Sequence, residues 1–431
     1  MLKPISFIIN TCINELEYLK LLLNSLKTNL DNNKHEIIVF IDSDNQGTYD
    51  YLKSVQKDFY DLKIITHKLP HRIAYQRNKN ILVDKAKHNI VSYLQSDMVV
   101  SPHYDTDILN NLEENCILSA TRVEPPLHGE SDKTITKDFG LKPNDFNLEE
   151  WNKYSTKIKE DKTLDYFFAP ITFYKDVWLS IGGYDTLFRR SREDSDLVQR
   201  CVHKGIKLKY TFNAIVYHFT CISSRGKDWF NKQNIEAQNK LKLQQQADQI
   251  ELRKFIRRWG TFNHGETKLI KYDTDLIIRN CHKLPFELIY NLEPLFSRVW
   301  LDDVNIIKQI TYNNSKENTI ANELQLITEE QWEKSKHLFN TTDYNKIFKR
   351  LDEFKNEYNI LLEIDGSTLQ NSDMELLNFL HLVLKDDNEE GQYEFGNIKI
   401  HIKSKIQNTP IFIDKNKYGK IHLQRKIRKS S

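Results

Sequence analysis

Short apolar runs and amphipathic stretches alternate along the first hundred residues. Ile5 to Ile9 is apolar almost throughout and reads as a buried strand. A helical pattern opens at Asn14-Glu15, with Leu16, Leu19, Leu22, Leu23, Leu26 and Leu30 recurring at three- and four-residue steps along one stripe. Ile37 to Ile41 is a second strand, ending in Asp42-Ser43-Asp44. Thr48 to Phe59 reads as helix, Leu62 to Thr66 as a third strand, Arg77 to Lys87 as helix and Ile90 to Leu94 as a fourth strand. Strands alternating with helices imply an α/β fold with a mostly parallel sheet covered on both faces. Ligands of such sheets bind at the carboxyl ends of the strands. The polar residues that follow strands are therefore the ones to examine: Thr11 and Asn14, Asp42 and Asp44, and Gln95-Ser96-Asp97.

The pattern then changes. Lys227 to Arg258 is polar and helix-prone and reads as a helical segment leaving the first domain. Pro285 and Pro294 fall in a connector. Beyond about Trp300, Thr328-x-x-Gln331 is a capping box before a helix. Tyr344 to Tyr358 reads as helical, and Ile360 to Ile364 and Phe395 to Ile402 as strands, with a turn at Phe395-Gly396-Asn397-Ile398. The resulting division is an α/β domain over 1–226, a helical extension and connector over 227–299, and a small α+β domain over 300–431 that carries no catalytic signature. No internal sequence repeat is visible.

Composition narrows the function classes. A chain of 431 residues exceeds a single ordinary core. With 39% hydrophobic and 28% charged residues it is globular rather than disordered. A net charge of +2 is too nearly balanced to capture nucleic acid, which is not an expected partner. The cysteines, Cys12, Cys116, Cys201, Cys221 and Cys281, are odd in number and widely spaced. They suggest neither a zinc site nor a disulfide framework, and a reducing compartment is the simpler reading. The chain start has no signal-peptide anatomy, and no apolar run reaches the roughly 18 residues of a membrane span. The expectation is a cytoplasmic protein with no transmembrane segment, at most peripheral to a membrane. The basic stretch Lys415 to Lys429 is either a solvated tail or a contact for anionic lipid headgroups.

Three constellations could carry chemistry. In Leu94-Gln95-Ser96-Asp97 a carboxylate stands just past a buried strand, where it can hold a hard divalent cation against a diphosphate; the bland alternative is a turn aspartate. Gly182-Gly183-Tyr184-Asp185 is followed by Arg192-Glu193-Asp194-Ser195-Asp196-Leu197-Val198-Gln199-Arg200. Three carboxylates within four residues repel one another, so something should offset them: arginines, a helix N-terminus or a metal. One of them could act as a general base, or the run could be a solvated helix start. His218, at the end of the apolar run Val216-Tyr217, is a metal ligand or a packed core histidine.

In this order the motifs resemble the family 2 glycosyltransferases over about residues 4 to 225. Asp42 falls in the family's acidic turn after the second strand, Ala74-Tyr75-Gln76-Arg77-Asn78-Lys79 is similar to its Ala-Arg-Asn segment, and Gln95-Ser96-Asp97 occupies the place of its Asp-x-Asp motif. Gly182-Gly183-Tyr184-Asp185 with Glu193-Asp194-x-Asp196-Leu197-x-x-Arg200 resembles its acceptor-side signature, and His218 sits where a further metal-binding histidine often stands. The departures are Gln95 for the first aspartate, a first loop without the usual proline, Gln76 for alanine and Asn80 for glycine.

The resemblance implies a GT-A fold (nucleotide-diphospho-sugar transferase) and an inverting transfer of a sugar from a nucleotide-diphosphate sugar, of UDP or GDP type, to a hydroxyl of a glycan, lipid-linked or protein acceptor. Thr11, Asn14, Asp42, Arg77, Gln95, Ser96 and Asp97 would bind the donor, with Arg77 or Arg200 steadying phosphates or carboxylates. Asp97 and His218 would hold Mn²⁺ or Mg²⁺. Asp194 would be the base, with Glu193 beside it. The rival reading is a GT-A-like module that binds nucleotide or glycan without turnover, which Gln95 favours because an amide brings no negative charge.

Overall fold

The computed structural model describes residues 2–67, 75–127, 131, 133–185, 188, 191–220, 233–261, 268–310, 312, 347–378, 380–385 and 390–407. The chain divides into two compact units, one built mainly from residues 1–186 and 200–241, the other from 187–199 and 242–411. Each has its own sheet and its own core. Among the described residues no helix is long and apolar enough to cross a membrane.

The first unit follows the apolar runs closely. Strands β1 (Ile5–Thr11), β2 (Glu36–Ile41), β3 (Asp61–Thr66) and β4 (Ile90–Gln95) pair in parallel in the order β3-β2-β1-β4. β1, β2 and β4 are mostly buried and apolar because helices cover parallel strands on both faces, whereas in the edge strand β3 only Leu62 is buried. The sheet continues through β9 (Ile171–Tyr174), β6 (Cys116–Glu124), β10 (Lys207–His218) and β5 (Met98–Val100), with β9 antiparallel to both β4 and β6. Two short strands, β7 (Thr134–Thr136) and β8 (Thr163–Leu164), pair with β6 and β10.

Helix α1 (Leu16–Asn29) buries Leu19, Leu22, Leu23 and Leu26 against β1, β2 and β5 residues in one core. Each such leucine contributes about 1.5–3 kcal/mol of burial. The chain turns from β1 into α1 through Asn14, whose φ of 65° is a left-handed value that asparagine tolerates. Helix α2 (Thr48–Val55) is capped by the Asp44 carboxylate, which accepts from the backbone N–H of Gln46, Thr48 and Tyr49 at 3.0, 2.9 and 2.9 Å. Helices α3 (Tyr75–Lys85), α4 (Tyr104–Asn111), α5 (Leu148–Lys157) and α6 (Lys175–Ser180) complete the unit. Helix α7 (Glu193–Lys204) has its first residues, 193–199, in the second unit.

In the second unit the sheet begins inside the stretch read from sequence as a connector. Strands β11 (Thr274–Arg279), β12 (Arg298–Leu301), β13 (Phe348–Arg350) and β14 (Ile360–Asp365) run parallel in the order β13-β12-β11-β14. A hairpin of β15 (Gly391–Phe395) and β16 (Ile398–Ile402) adds to β14 antiparallel. Its turn is at Gly396, φ 58°, as the sequence suggested. Helix α8 (Ile235–Trp259) realises the polar helical stretch, and α9 (Phe286–Leu292) starts directly after Pro285, where the missing N–H costs nothing. Helices α10 (Asn371–Asn378) and α11 (Leu380–Lys385) follow β14.

One expectation is corrected. From Phe348 on, the Tyr344 to Tyr358 stretch is not an α-helix: Phe348–Arg350 is strand β13, followed by a single 3-10 turn over Leu351–Glu353. Pairing with β12 overrides the local helical tendency of a polar run. The capping box at Thr328 and the basic stretch Lys415 to Lys429 lie outside the described residues.

Candidate functional site

The carboxyl ends of β1, β2, β4, β6 and β10 bring several of the sequence candidates together in the first unit. Asp97 follows β4 in the tight turn that leads into β5, and His218 is the last residue of β10, which pairs antiparallel with β5 so that His218 stands opposite Met98. The Phe219 N–H donates to the Asp97 carbonyl at 3.0 Å, locking the two strand ends in register. His218 Nε2 lies 3.6 Å from Asp97 Oδ1, both side chains buried.

The other imidazole nitrogen has a partner that the motif reading missed. His218 Nδ1 is 2.6 Å from Glu124 Oε1, at the end of β6. An ionised Glu124 accepts a hydrogen bond from the Nδ1–H, which leaves Nε2 as a lone pair facing the Asp97 carboxylate. Two electron-rich atoms face each other there, and among the described residues no donor hydrogen-bonds the Asp97 carboxylate. A divalent cation fits that pair chemically. No group of three His, Cys, Asp or Glu side chains with metal-binding geometry occurs among the described residues.

Gln95 is tied into the same cluster through Arg122. The Arg122 guanidinium is 3.4 Å from Glu124 Oε1 and donates to Gln95 Oε1 at 3.5 Å, while its plane stacks 3.7 Å from the Phe168 ring centroid. The amide that replaces the first aspartate of the motif therefore faces an arginine already paired with Glu124. Ser96 Oγ donates to Glu15 Oε2 at 2.6 Å. Glu15 is buried and also accepts from the Cys12 N–H at 3.0 Å, bridging the β1 and β4 loops. Burial pushes its carboxyl pKa up, against the opposing hydrogen bonds from Ser96 and Cys12.

Thr11 and Asp42 sit side by side at the ends of β1 and β2, with the Asp42 N–H donating to the Thr11 carbonyl at 2.9 Å. The Asp42 carboxylate lies 3.1 Å from His67 Nε2, a second pairing not foreseen from sequence. Thr11 Oγ1 is buried without a hydrogen-bond partner among the described residues. Asn14 is exposed beside Asn45, whose Oδ1 accepts from the Asn14 N–H at 3.3 Å. Arg77 is in the first turn of α3, where burial lowers its guanidinium pKa. Burial also pushes the Asp44 carboxyl up, but the three capping N–H groups outweigh it and leave the pKa lowered. Of the two aspartates in the acidic turn, Asp44 is thus committed to α2.

The Gly-Gly-Tyr-Asp segment docks on α3. Asn80, where the family pattern has glycine, accepts from the Tyr184 N–H at 3.0 Å and donates to its carbonyl at 2.8 Å. Gly183 has φ 68°, and a Cβ there would meet Asn80 Oδ1 at 2.4 Å, so glycine is required on two counts. Arg200 donates to the carbonyls of Ile181 and Gly183. The arginine considered for phosphate is thus buried and braces this turn, with its Nη1 committed to two main-chain carbonyls.

Residues 7–174 match the family model described as glycosyl transferase family 2. That match covers about two fifths of the chain. With the mostly parallel sheet, it makes the fold α/β of the GT-A kind and the first unit the carrier of a glycosyltransferase domain, accompanied by a second, smaller sheet. No curated protein sequence matches the chain. Among solved structures, the chain is similar to GalNAc-T7 with UDP, GalNAc and Mn²⁺, at 14% identity and a TM-score of 0.40, over 50% of this chain and 44% of that one. It is similar to S. aureus TarS at 13% identity and a TM-score of 0.38, over 59% of this chain and 43% of that one. The chain thus spans less than half the length of these two proteins. A shorter form, TarS 1-349 in complex with UDP, is similar at 10% identity and a TM-score of 0.39, over 95% of this chain and all of that one.

Glu193 and Asp194, the candidate acceptor-side carboxylates, stand in the first turn of α7, Glu193 buried and Asp194 half-buried. They belong to the second unit. The signal for Glu124 was available: Cys116 to Val123 is a mostly apolar run ending in a carboxylate, the same pattern that drew attention to Asp97.

Proposed function

We propose that the chain transfers a sugar from a nucleotide-diphosphate sugar of UDP or GDP type to a hydroxyl acceptor, with inversion at the anomeric carbon. The observation that carries this reading is the Asp97–His218–Glu124 arrangement, a carboxylate and an oriented imidazole facing each other at the carboxyl edge of the sheet. Glu124 fixes the His218 tautomer so that Nε2 is free to ligate. Mn²⁺ or Mg²⁺ held by Asp97 and His218 would supply charge neutralisation for the departing diphosphate. Asp42, beside Thr11, accepts hydrogen bonds from the nucleoside, and the buried Thr11 hydroxyl gains a partner there. Asn14, Arg77, Gln95 and Ser96 complete the donor contacts.

Asp194 is the proposed base. It takes the acceptor O–H proton as that oxygen bonds to the anomeric carbon and the carbon–oxygen bond to the diphosphate breaks, the electron pair leaving with the nucleoside diphosphate. Glu193 orients the acceptor. The acceptor is a glycan, lipid-linked or protein hydroxyl, and a cytoplasmic location, with the basic stretch near the end at a membrane surface, fits that chemistry.

The test uses the full chain with UDP-glucose, UDP-N-acetylglucosamine and GDP-mannose, each with Mn²⁺, and measures released nucleoside diphosphate. One donor should turn over, EDTA should stop it, and Asp194→Asn should lower the rate at least ~100-fold while donor binding by thermal shift persists. A second reading, a binding module without turnover, is favoured by the uncharged Gln95 facing Arg122. Donor binding with no release in the wild type would establish it.

A further inference from the structure

We propose that Arg258 and Trp259, at the end of α8, are positioning residues for the Glu193–Asp194 pair and act on it through Asp196. The inference rests on the reading of Asp194 as base. Asp196 is fully buried, and its Oδ1 accepts from Arg258 Nη1 at 2.7 Å and from Trp259 Nε1 at 3.1 Å. Trp259 is itself fully buried and packs in a cluster with Phe188, Phe255 and Leu269. Arg258 lies over the Phe188 ring, 5.3 Å from its centroid. One turn along, Gln199 Oε1 accepts from the Leu269 N–H at 3.0 Å. The start of α7 is therefore pinned at positions 196 and 199, three residues apart on one face of the helix.

Successive helical residues are about 100° apart, so Asp194 lies about 160° around the helix from Asp196. Pinning one face fixes the direction of the other, and Asp194 is the half-buried carboxylate on that other side. The charge logic agrees. A fully buried carboxylate needs a cation and donors, and removing them leaves an uncompensated charge that would pull the turn toward water. Rotation of this turn would swing the base, and about 1 Å of misplacement is enough for a ~100-fold rate loss. A tryptophan whose indole N–H serves a buried carboxylate is not available to stack on substrate, so its role is orientation rather than contact.

The test measures nucleoside diphosphate released by the full chain from the three nucleotide sugars named above, over a range of pH, alongside thermal melting. Trp259→Phe keeps most of the ring volume and deletes one donor; kcat should fall about tenfold, with KM for the donor within twofold. Arg258→Met should lose more, and Arg258→Lys should recover most of that loss. Asp196→Asn, which is isosteric and neutral, serves if either of the others fails to fold, and should also lower kcat with KM unchanged. In these variants the acidic limb of the kcat–pH profile should move, because the environment of the base has changed. Folded variants with wild-type kcat and an unmoved profile, alongside an inactive Asp194→Asn, would overturn the positioning role and leave the base intact. A fully active Asp194→Asn would instead remove the base reading itself.

Discussion

In the first sheet β1 is flanked by β2 and β4, with β3 outside; in the second, β11 is flanked by β12 and β14, with β13 outside. In both, the four strands are parallel and the next neighbour runs antiparallel. The loops repeat in kind as well. Each central strand leaves into a left-handed asparagine, Asn14 or Asn280, and each next strand is followed by an aspartate, Asp42 or Asp302. The fourth strands end near Asp97 and at Asp365. What differs is how the carboxylates are used. Asp365 accepts from Asn280 Nδ2 at 3.0 and 3.1 Å and from the Ser367 N–H and hydroxyl at 2.8 and 2.6 Å, and these hydrogen bonds, Ser367's and then Asn280's, hold its pKa down at about 2. Asp302 accepts from the backbone of Asn280 and Cys281. The second set closes its own turns. The first leaves Asp97 facing a histidine, because β6 and β10 extend that sheet and deliver Glu124 and His218. The same strand order thus sets an aspartate against a histidine only where further strands bring the histidine in.

The largest effect should separate the two aspartates. Asp97→Ala should lower Mn²⁺-dependent donor turnover by about 100-fold or more, the scale of removing one electrostatic stabiliser of a transition state. Asp365→Ala should leave turnover within twofold while lowering the melting temperature. Measuring both in the full chain decides the matter, and equal losses would show that the closed turn at β14 is not merely structural.

A smaller contrast lies in the two histidine–carboxylate pairs. His218 with Glu124 is nearly dry, whereas His401 Nε2 lies 3.3 Å from Glu363 with both side chains partly exposed. Glu124→Gln keeps an acceptor for the His218 Nδ1–H but removes the charge that raises its basicity. The Mn²⁺ concentration needed for half-maximal turnover should rise about 10- to 100-fold, the usual cost of changing an outer partner of a ligand. Glu363→Gln should not move it. An unchanged Mn²⁺ requirement in Glu124→Gln would mean that His218 is held for packing alone.

Much of the first unit was legible in the sequence because its strands are continuous apolar runs and its helix α1 has a single leucine stripe. The order of motifs located Asp42, Asp97 and His218 at strand ends. Glu124 and His67 escaped because their partners are 94 and 25 residues away, and separation in sequence carries no trace of a shared edge. Asn80 read as a motif departure, and Arg200 as a signature residue for steadying phosphates or carboxylates, before their hydrogen bonds to the turn at Ile181–Tyr184 gave them a structural reason. The second sheet was harder. Its strand β13 is three residues long with only Phe348 apolar, and its parallel order rests on pairings among β11, β12 and β14 that local patterns do not encode. That is also why a repeated strand order left no repeated sequence.

The smallest expected effect concerns a charge that belongs to the second unit alone. Lys271 is buried, donates to the carbonyls of Arg257 and Pro294 at 2.8 and 3.0 Å, and lies near Glu293, which Arg253 and Arg257 already pair. Burial pushes its pKa down to about 8 from an ordinary value of 10.5. Between those two values the unfolded chain holds a proton that the folded chain has released, so this group makes stability rise with pH across that window and contributes no slope below about pH 8. Lys271→Met removes the titration. The stability difference, wild type minus variant, should therefore be flat up to about pH 8 and grow in favour of the wild type toward pH 10. Urea unfolding of both proteins at pH 7 and pH 10 checks it: a gap of the same size at both values would mean that Lys271 keeps its proton when folded, and that the Glu293 carboxylate, not burial, governs its charge.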